Sequence, residues 1–178
     1  KFKSKTGQEV DGCFILATFI PDMIEKDMWT VFSKVVRACK IAEKQGVGVV
    51  ALGGFTSIVA ERIGQEISSQ VDIPVTTGNT FTASMVLEGI YKAAGLFGVD
   101  LSGLKVTIVG GTGDIGSGCA RVLADKVKQL TITGRTKLNL RRIKAELSKK
   151  AKAKIVATTS NEQAVKEADI VIAAASAS

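Results

Sequence analysis

Apolar residues recur at two different periods along this chain, and the change of period predicts its elements. Over residues 21–45 the spacing is helical: Met28, Phe32, Val35, Cys39 and Ala42 fall three or four apart and share one face. Lys26, Arg37, Lys40 and Lys44 fall on the opposite face, so a surface helix with a buried stripe and a basic stripe is expected. Gly46 suits the position just past its end. Residues 47–52 read as a buried strand. Gly53-Gly54-Phe55-Thr56-Ser57 reads as a loop entering another helix, with Thr56 or Ser57 as its cap. Val75-Thr76 is a short extended piece after Pro74, and Thr77-Gly78-Asn79-Thr80 opens a long helix over residues 81–97. Ahead of these, residues 3–5 and 9–16 read as strands around a Thr6-Gly7-Gln8 turn.

Beyond Gly103 the two periods alternate regularly. Strands are expected near 105–109, 129–133, 154–158 and 170–174, and helices over 115–127, 139–149 and 162–167. This alternation predicts an α/β fold with a parallel sheet covered by helices, in strand order 3-2-1-4. The expected organisation is an N-terminal α/β substrate domain, residues 1–102, followed by a Rossmann-type parallel-sheet domain, residues 103–178. The chain opens without Met and closes on Ala173-Ala-Ala-Ser-Ala-Ser178, so it reads as a fragment whose sheet is cut after the fourth strand.

The join between the first of these strands and its helix carries the strongest chemical signal. Val109-Gly110-Gly111-Thr112-Gly113-Asp114-Ile115-Gly116 places spaced glycines between a strand and a helix start. Such a turn lets the backbone approach a pyrophosphate, with the helix N-terminus offering N–H groups and positive potential. Gly110, Gly111, Thr112, Gly113, Asp114 and Ile115 are the candidate phosphate residues. An NAD site usually has Asp or Glu about 20 residues on, at the ribose. Here the second strand ends in Gly134-Arg135-Thr136-Lys137 instead. Arg135 and Thr136 suit a 2′-phosphate, so NADP(H) is the expected cofactor. At the fourth strand Ala175 and Ser176 leave room for the nicotinamide ribose.

Composition narrows the remaining chemistry. The sequence has no histidine, which excludes His-dependent triads and His metal sites within it, and no metal is expected. Cys13, Cys39 and Cys119 lack metal-like spacing and read as small buried hydrophobes, leaving no catalytic nucleophile to assign. With an odd cysteine count, no signal peptide and no apolar run of membrane length, a cytoplasmic protein is expected. The net charge is +7, concentrated in residues 26–44 and 135–154. Aromatics at 5% are sparse for stacking on bases, so an acidic protein or a phosphorylated cofactor is expected rather than nucleic acid. The loops Gly53–Ser57 (with Gly54, Phe55 and Thr56) and Thr77–Thr80 (with Gly78 and Asn79) are candidate substrate-binding residues, because helix starts present N–H donors to a carbonyl. Ordinary helix capping is the alternative.

Three segments taken together carry a resemblance. Ala51-Leu-Gly-Gly-Phe-Thr-Ser-Ile58, Thr76-Thr-Gly-Asn-Thr80 and Val109–Ser117, in this order, resemble the cyanobacterial-type long-chain acyl-[acyl-carrier-protein] reductases over nearly the whole chain. A weaker similarity extends to the shikimate dehydrogenase and glutamyl-tRNA reductase type of Rossmann domain. The resemblance implies NADPH-dependent reduction of a fatty acyl thioester, on acyl carrier protein or CoA, to a fatty aldehyde. It implies a cysteine acyl-enzyme whose cysteine lies after the nucleotide domain, outside this chain. Phe81 stands where that family carries histidine. Two alternatives remain at this stage: a shikimate-dehydrogenase-like reductase of a small carbonyl compound, and a non-catalytic nucleotide-binding protein.

Overall fold

The computed structural model describes residues 1–175. The chain divides into two units, Lys1–Gly78 and Asn79 onward.

In the second unit, β-branched residues make four strands, of which the central two are covered on both faces. β5 (Lys105–Val109), β6 (Gln129–Thr133), β7 (Lys154–Thr158) and β8 (Ile170–Ala173) form one sheet in the order β7-β6-β5-β8, parallel throughout. This is the 3-2-1-4 order expected from the alternation. Val106, Ile108, Leu130 and Ile132 are fully buried on one face, and the alternating Thr107, Thr131 and Thr133 are buried on the other, so β5 and β6 are covered on both. The buried Thr107 is satisfied because its hydroxyl donates to Ala164 O at 2.8 Å. Helices α5 (Asp114–Leu123), α6 (Lys137–Ser148) and α7 (Asn161–Lys166) cross between the strands.

Helix α4 (Asn79–Phe97) belongs to this second unit, not to the first. Small residues explain its packing. A Cβ on Gly118 of α5 would lie 3.3 Å from Ala83 Cβ of α4, so the two helices meet closely. The Cys119 thiol faces Ala83 O at 3.8 Å in the same contact. Ala83 and Leu87 join the core formed by α5 and the sheet.

The first unit is built from shorter pieces. β1 (Phe2–Lys3) and β2 (Glu9–Val10) pair antiparallel. The strand expected over 9–16 stops at Val10, and Phe14 and Leu16 beyond it are almost fully exposed. Cys13 lies in that exposed stretch, which corrects its reading as a buried hydrophobe; Cys39 and Cys119 are buried as expected. The helix expected over 21–45 is two, α1 (Met23–Lys26) and α2 (Met28–Lys44). Asp27 breaks it: with φ −150° it leaves the helical region, and its carboxylate accepts from the Thr30 N–H at 3.2 Å, capping α2. Val35, Cys39 and Ala42 of the expected stripe are buried on α2, together with Val31 and Val36, whereas Met28 and Phe32 are half-buried at its edge. Gly46 follows with φ +73°. β3 (Val50–Leu52) and β4 (Val75–Thr77) pair in parallel, joined by α3 (Phe55–Ser68). Ile63, at φ −140° and ψ 36°, kinks α3.

Candidate functional site

The turn after β5 is shaped by contacts that only glycine permits. Gly110 has φ +81°, and a Cβ there would stand 2.7 Å from Ala175 N. A Cβ on Gly111 would stand 2.8 Å from Ile132 Cγ2, and one on Gly116 would run into Gly110 O. Gly111 N–H donates to Thr133 O at 2.8 Å, tying the turn to the end of β6. Gly113 differs from these three. It is exposed, its φ is an ordinary −80°, and its Cβ position has only Gly110 O nearby, at 3.7 Å. The turn is therefore closed toward the protein and open at Gly113, where α5 begins. A diphosphate fits that opening: the first-turn N–H groups of α5 have no acceptor within the helix, and the positive end of its dipole lies there.

The end of β6 is pressed against this turn. A Cβ on Gly134 would meet Thr112 Cγ2 at 2.9 Å and Oγ1 at 3.0 Å. Arg135 and Thr136 follow at once and are exposed, and Thr136 precedes α6 without a side-chain capping bond. The structure thus brings Gly110–Ile115 and Gly134–Thr136 together, as a dinucleotide spanning two adjacent strand ends requires. Ala175 lies over Gly110 at the end of β8. Ser176 lies outside the described residues.

Two sets of contacts were not evident in the sequence. Asn79 Nδ2 donates to Asp114 Oδ2 at 3.2 Å, so the first residue of α4 reaches the first residue of α5. Arg121 donates from Nε and Nη2 to Glu146, at 2.7 and 3.4 Å, and from Nη1 to Ser117 Oγ at 3.2 Å. Ser117 Oγ donates in turn to Asp114 O at 3.2 Å. This relay links α6 to the first turn of α5. The Arg121 hydrogen bond holds the Glu146 carboxyl below the usual carboxylate range, and Glu146 raises the guanidinium in return. The Ser117–Arg121 spacing of four was the available signal.

In the first unit, β3 and β4 pair Leu52 with Thr77, so the loops starting at Gly53 and Gly78 leave the same end of the strand pair. Gly53, Gly54 and Phe55 are exposed. Thr56 and Ser57 do not cap α3 in the expected sense. They lie inside its first turn, and their hydroxyls donate back to Gly53 O at 2.8 Å and Gly54 O at 2.7 Å. A cleft of about 590 Å³ lies between the later part of α3 and β4, lined by Leu52, Arg62, Gln65, Thr76 and Thr77 among others; no residue of Gly53–Ser57 lines it. Thr77 and Gly78 close the first unit, while Asn79 and the exposed Thr80 begin the second. Burial raises the thiol pKa of both Cys39 and Cys119, which makes poor nucleophiles of them.

A glycine turn between a buried parallel strand and a helix N-terminus, packed on the end of the next strand, defines a Rossmann dinucleotide-binding unit. The Shikimate / quinate 5-dehydrogenase family profile matches residues 92–178, the part containing that turn. Long-chain acyl-[acyl-carrier-protein] reductase of Synechococcus elongatus is 37% identical over 97% of this chain, which covers 52% of that protein. The chain is thus a relative of that reductase along nearly all its own length, and spans about half the length of it. Among solved structures, ornithine carbamoyltransferase from Pyrococcus furiosus matches at TM-score 0.50 and 12% identity, over 81% of this chain and 46% of that one. Shikimate 5-dehydrogenase from Listeria monocytogenes matches at TM-score 0.40 and 22% identity, over 58% and 36%. The carbamoyltransferase likeness concerns the fold alone. Among the described residues no helix is long and apolar enough to cross a membrane.

Proposed function

We propose that this protein takes part in NADPH-dependent reduction of a fatty acyl thioester to a fatty aldehyde. The observation that carries the reading is the open Gly113 position on an otherwise closed glycine turn, in a chain 37% identical to an acyl-[acyl-carrier-protein] reductase. Backbone N–H groups of Thr112, Asp114 and Ile115 hold the diphosphate. Arg135 and Thr136 hold the 2′-phosphate, since a guanidinium and a hydroxyl complement it where NAD sites carry a carboxylate. Bound NADPH supplies a hydride. In the net reaction the carbonyl carbon gains that hydride, its bond to sulfur breaks, and the departing thiolate takes a proton. The loops Gly53–Ser57 and Thr77–Thr80 orient the carbonyl through N–H groups at the helix starts. None of the three cysteines here is assigned the nucleophile.

The shikimate-type profile favours a second reading, reduction of a small polar ketone, yet it matches the nucleotide-binding half and so bears on the cofactor rather than the substrate. The intact protein, given NADPH and a long-chain acyl thioester, should form fatty aldehyde in step with NADPH loss. Reduction of a small ketone such as dehydroshikimate, with no aldehyde from the thioester, would overturn the proposal.

A further inference from the structure

The basic stripe of α2 is more sharply placed than the bulk charge suggests. The first unit carries nine basic and nine acidic side chains, so it has no net charge of its own. Between Trp29 and Lys44, however, four basic residues stand against a single carboxylate, Glu43, which accepts the Asp72 N–H at 2.7 Å. Trp29, Ser33, Arg37, Lys40 and Lys44 recur at helical spacing and are all exposed, forming one line of about 22 Å along the helix. Among the described residues Arg37, Lys40 and Lys44 have no ion-pair partner.

The stripe also has apolar anchors. Trp29 is 70% exposed and packs edge-on against Phe32, ring centroids 5.8 Å apart. Trp29, Thr30, Ser33, Lys34 and Arg37 line a shallow groove of about 330 Å³. Lys34 donates to Thr18 O at 2.5 Å, fixing one wall of it. Ile41 is exposed between Arg37 and Lys44. An aromatic anchor beside a row of unpaired cations is the arrangement that binds an acidic, amphipathic helix of another protein. A solvated basic face would not need an exposed Trp in its groove.

We propose that α2 is the docking surface for the acidic carrier protein that delivers the acyl group, one of its helices lying along Arg37, Lys40 and Lys44 with an apolar side chain against Trp29. This rests on the acyl-thioester reading above for the identity of the partner. The test is calorimetry with acyl-free carrier protein, which needs no turnover. Arg37→Glu with Lys40→Glu should weaken carrier binding about tenfold at low ionic strength and much less at ~0.5 M salt. Reversal of facing carboxylates on the carrier to lysine should restore it. Trp29→Ala should weaken binding at both salt concentrations, while helical circular dichroism and the Tm of every variant match the parent and report an intact first unit, and NADPH binding is unchanged. Unchanged carrier affinity in these variants overturns the proposal, as does equal competition by anionic lipid vesicles. Aldehyde formation from the CoA thioester without carrier binding would overturn this surface alone. Carrier binding lost in the variants, but with no aldehyde from any thioester, would overturn the reaction and keep the surface.

Discussion

Two turns in this chain have the same outline, a parallel strand, paired glycines and a helix, yet their glycines answer different demands. At Gly110–Gly116 the backbone is packed so closely that added Cβ atoms meet a carbonyl, a strand end and an isoleucine side chain. At Gly53–Gly54 nothing lies within 4 Å of either Cβ position, and only the φ of +56° at Gly54 favours glycine. The first turn is held rigid by its neighbours. The second is held by its own hydroxyls, Thr56 and Ser57, bonded back to Gly53 and Gly54. Rigidity suits a diphosphate, whose donors must be in place before it arrives. A loop fastened only locally suits a substrate group that varies in shape.

Substitutions break this comparison in a graded way. Gly116→Ala has the largest expected effect, because its Cβ would meet the Gly110 carbonyl and neither backbone can yield. About 3 kcal/mol of stability should be lost, roughly 10–20 °C in Tm for a unit of this size. A Tm within ~2 °C of the parent would contradict the packing described, on the same scale. Gly134→Ala comes next, at about 1–2 kcal/mol, since the Thr112 side chain it meets can rotate. Its cost should shrink when Thr112→Ala is added, so denaturant titration of the pair should give a coupling of about 1 kcal/mol. Strict additivity would show that the Gly110–Gly116 turn and the end of β6 do not touch. In the other turn, Gly54→Ala should cost about 1–2 kcal/mol through its backbone alone, since φ +56° with ψ −133° is open chiefly to glycine. Gly53→Ala should fall within about 0.5 kcal/mol of the parent, and a larger loss would mean that this loop is as confined as the first.

The second unit was the more legible in the sequence, and the reason is burial. β5 and β6 coincide with the expected strands because their β-branched residues are buried on both faces, and β7 beside them coincides as well. The short strands of the first unit lack that imprint. β3 starts at Val50 where 47 was expected, and the apolar residues after Val10 form no strand. Asp27 just before the periodic Met28 carried an N-cap signal strong enough to divide the helix over 21–45. The sequence marked a long helix over 81–97 without saying what it packs on; the close approach of Ala83 to Gly118 decides that. In the site, the glycine turn and the Gly134–Thr136 strand end were visible as sequence. The relay Glu146–Arg121–Ser117 was not, because its members lie on two helices whose packing the sequence does not state.

Gly113 decides between a packed turn and a binding turn. Its substitution by alanine disturbs neither a neighbour nor φ, so thermal stability should stay within about 0.5 kcal/mol of the parent. A methyl at the mouth of the α5 N-terminus should nevertheless hold a diphosphate away from the N–H groups. Calorimetric titration of NADPH into the parent and Gly113→Ala proteins, with Tm recorded on both, is the most direct measurement. The parent should bind one NADPH per chain and the variant should bind it at least about tenfold more weakly, through lost charge-assisted hydrogen bonds, at equal Tm. NADPH binding of equal strength in both, or none in the parent, would contradict it.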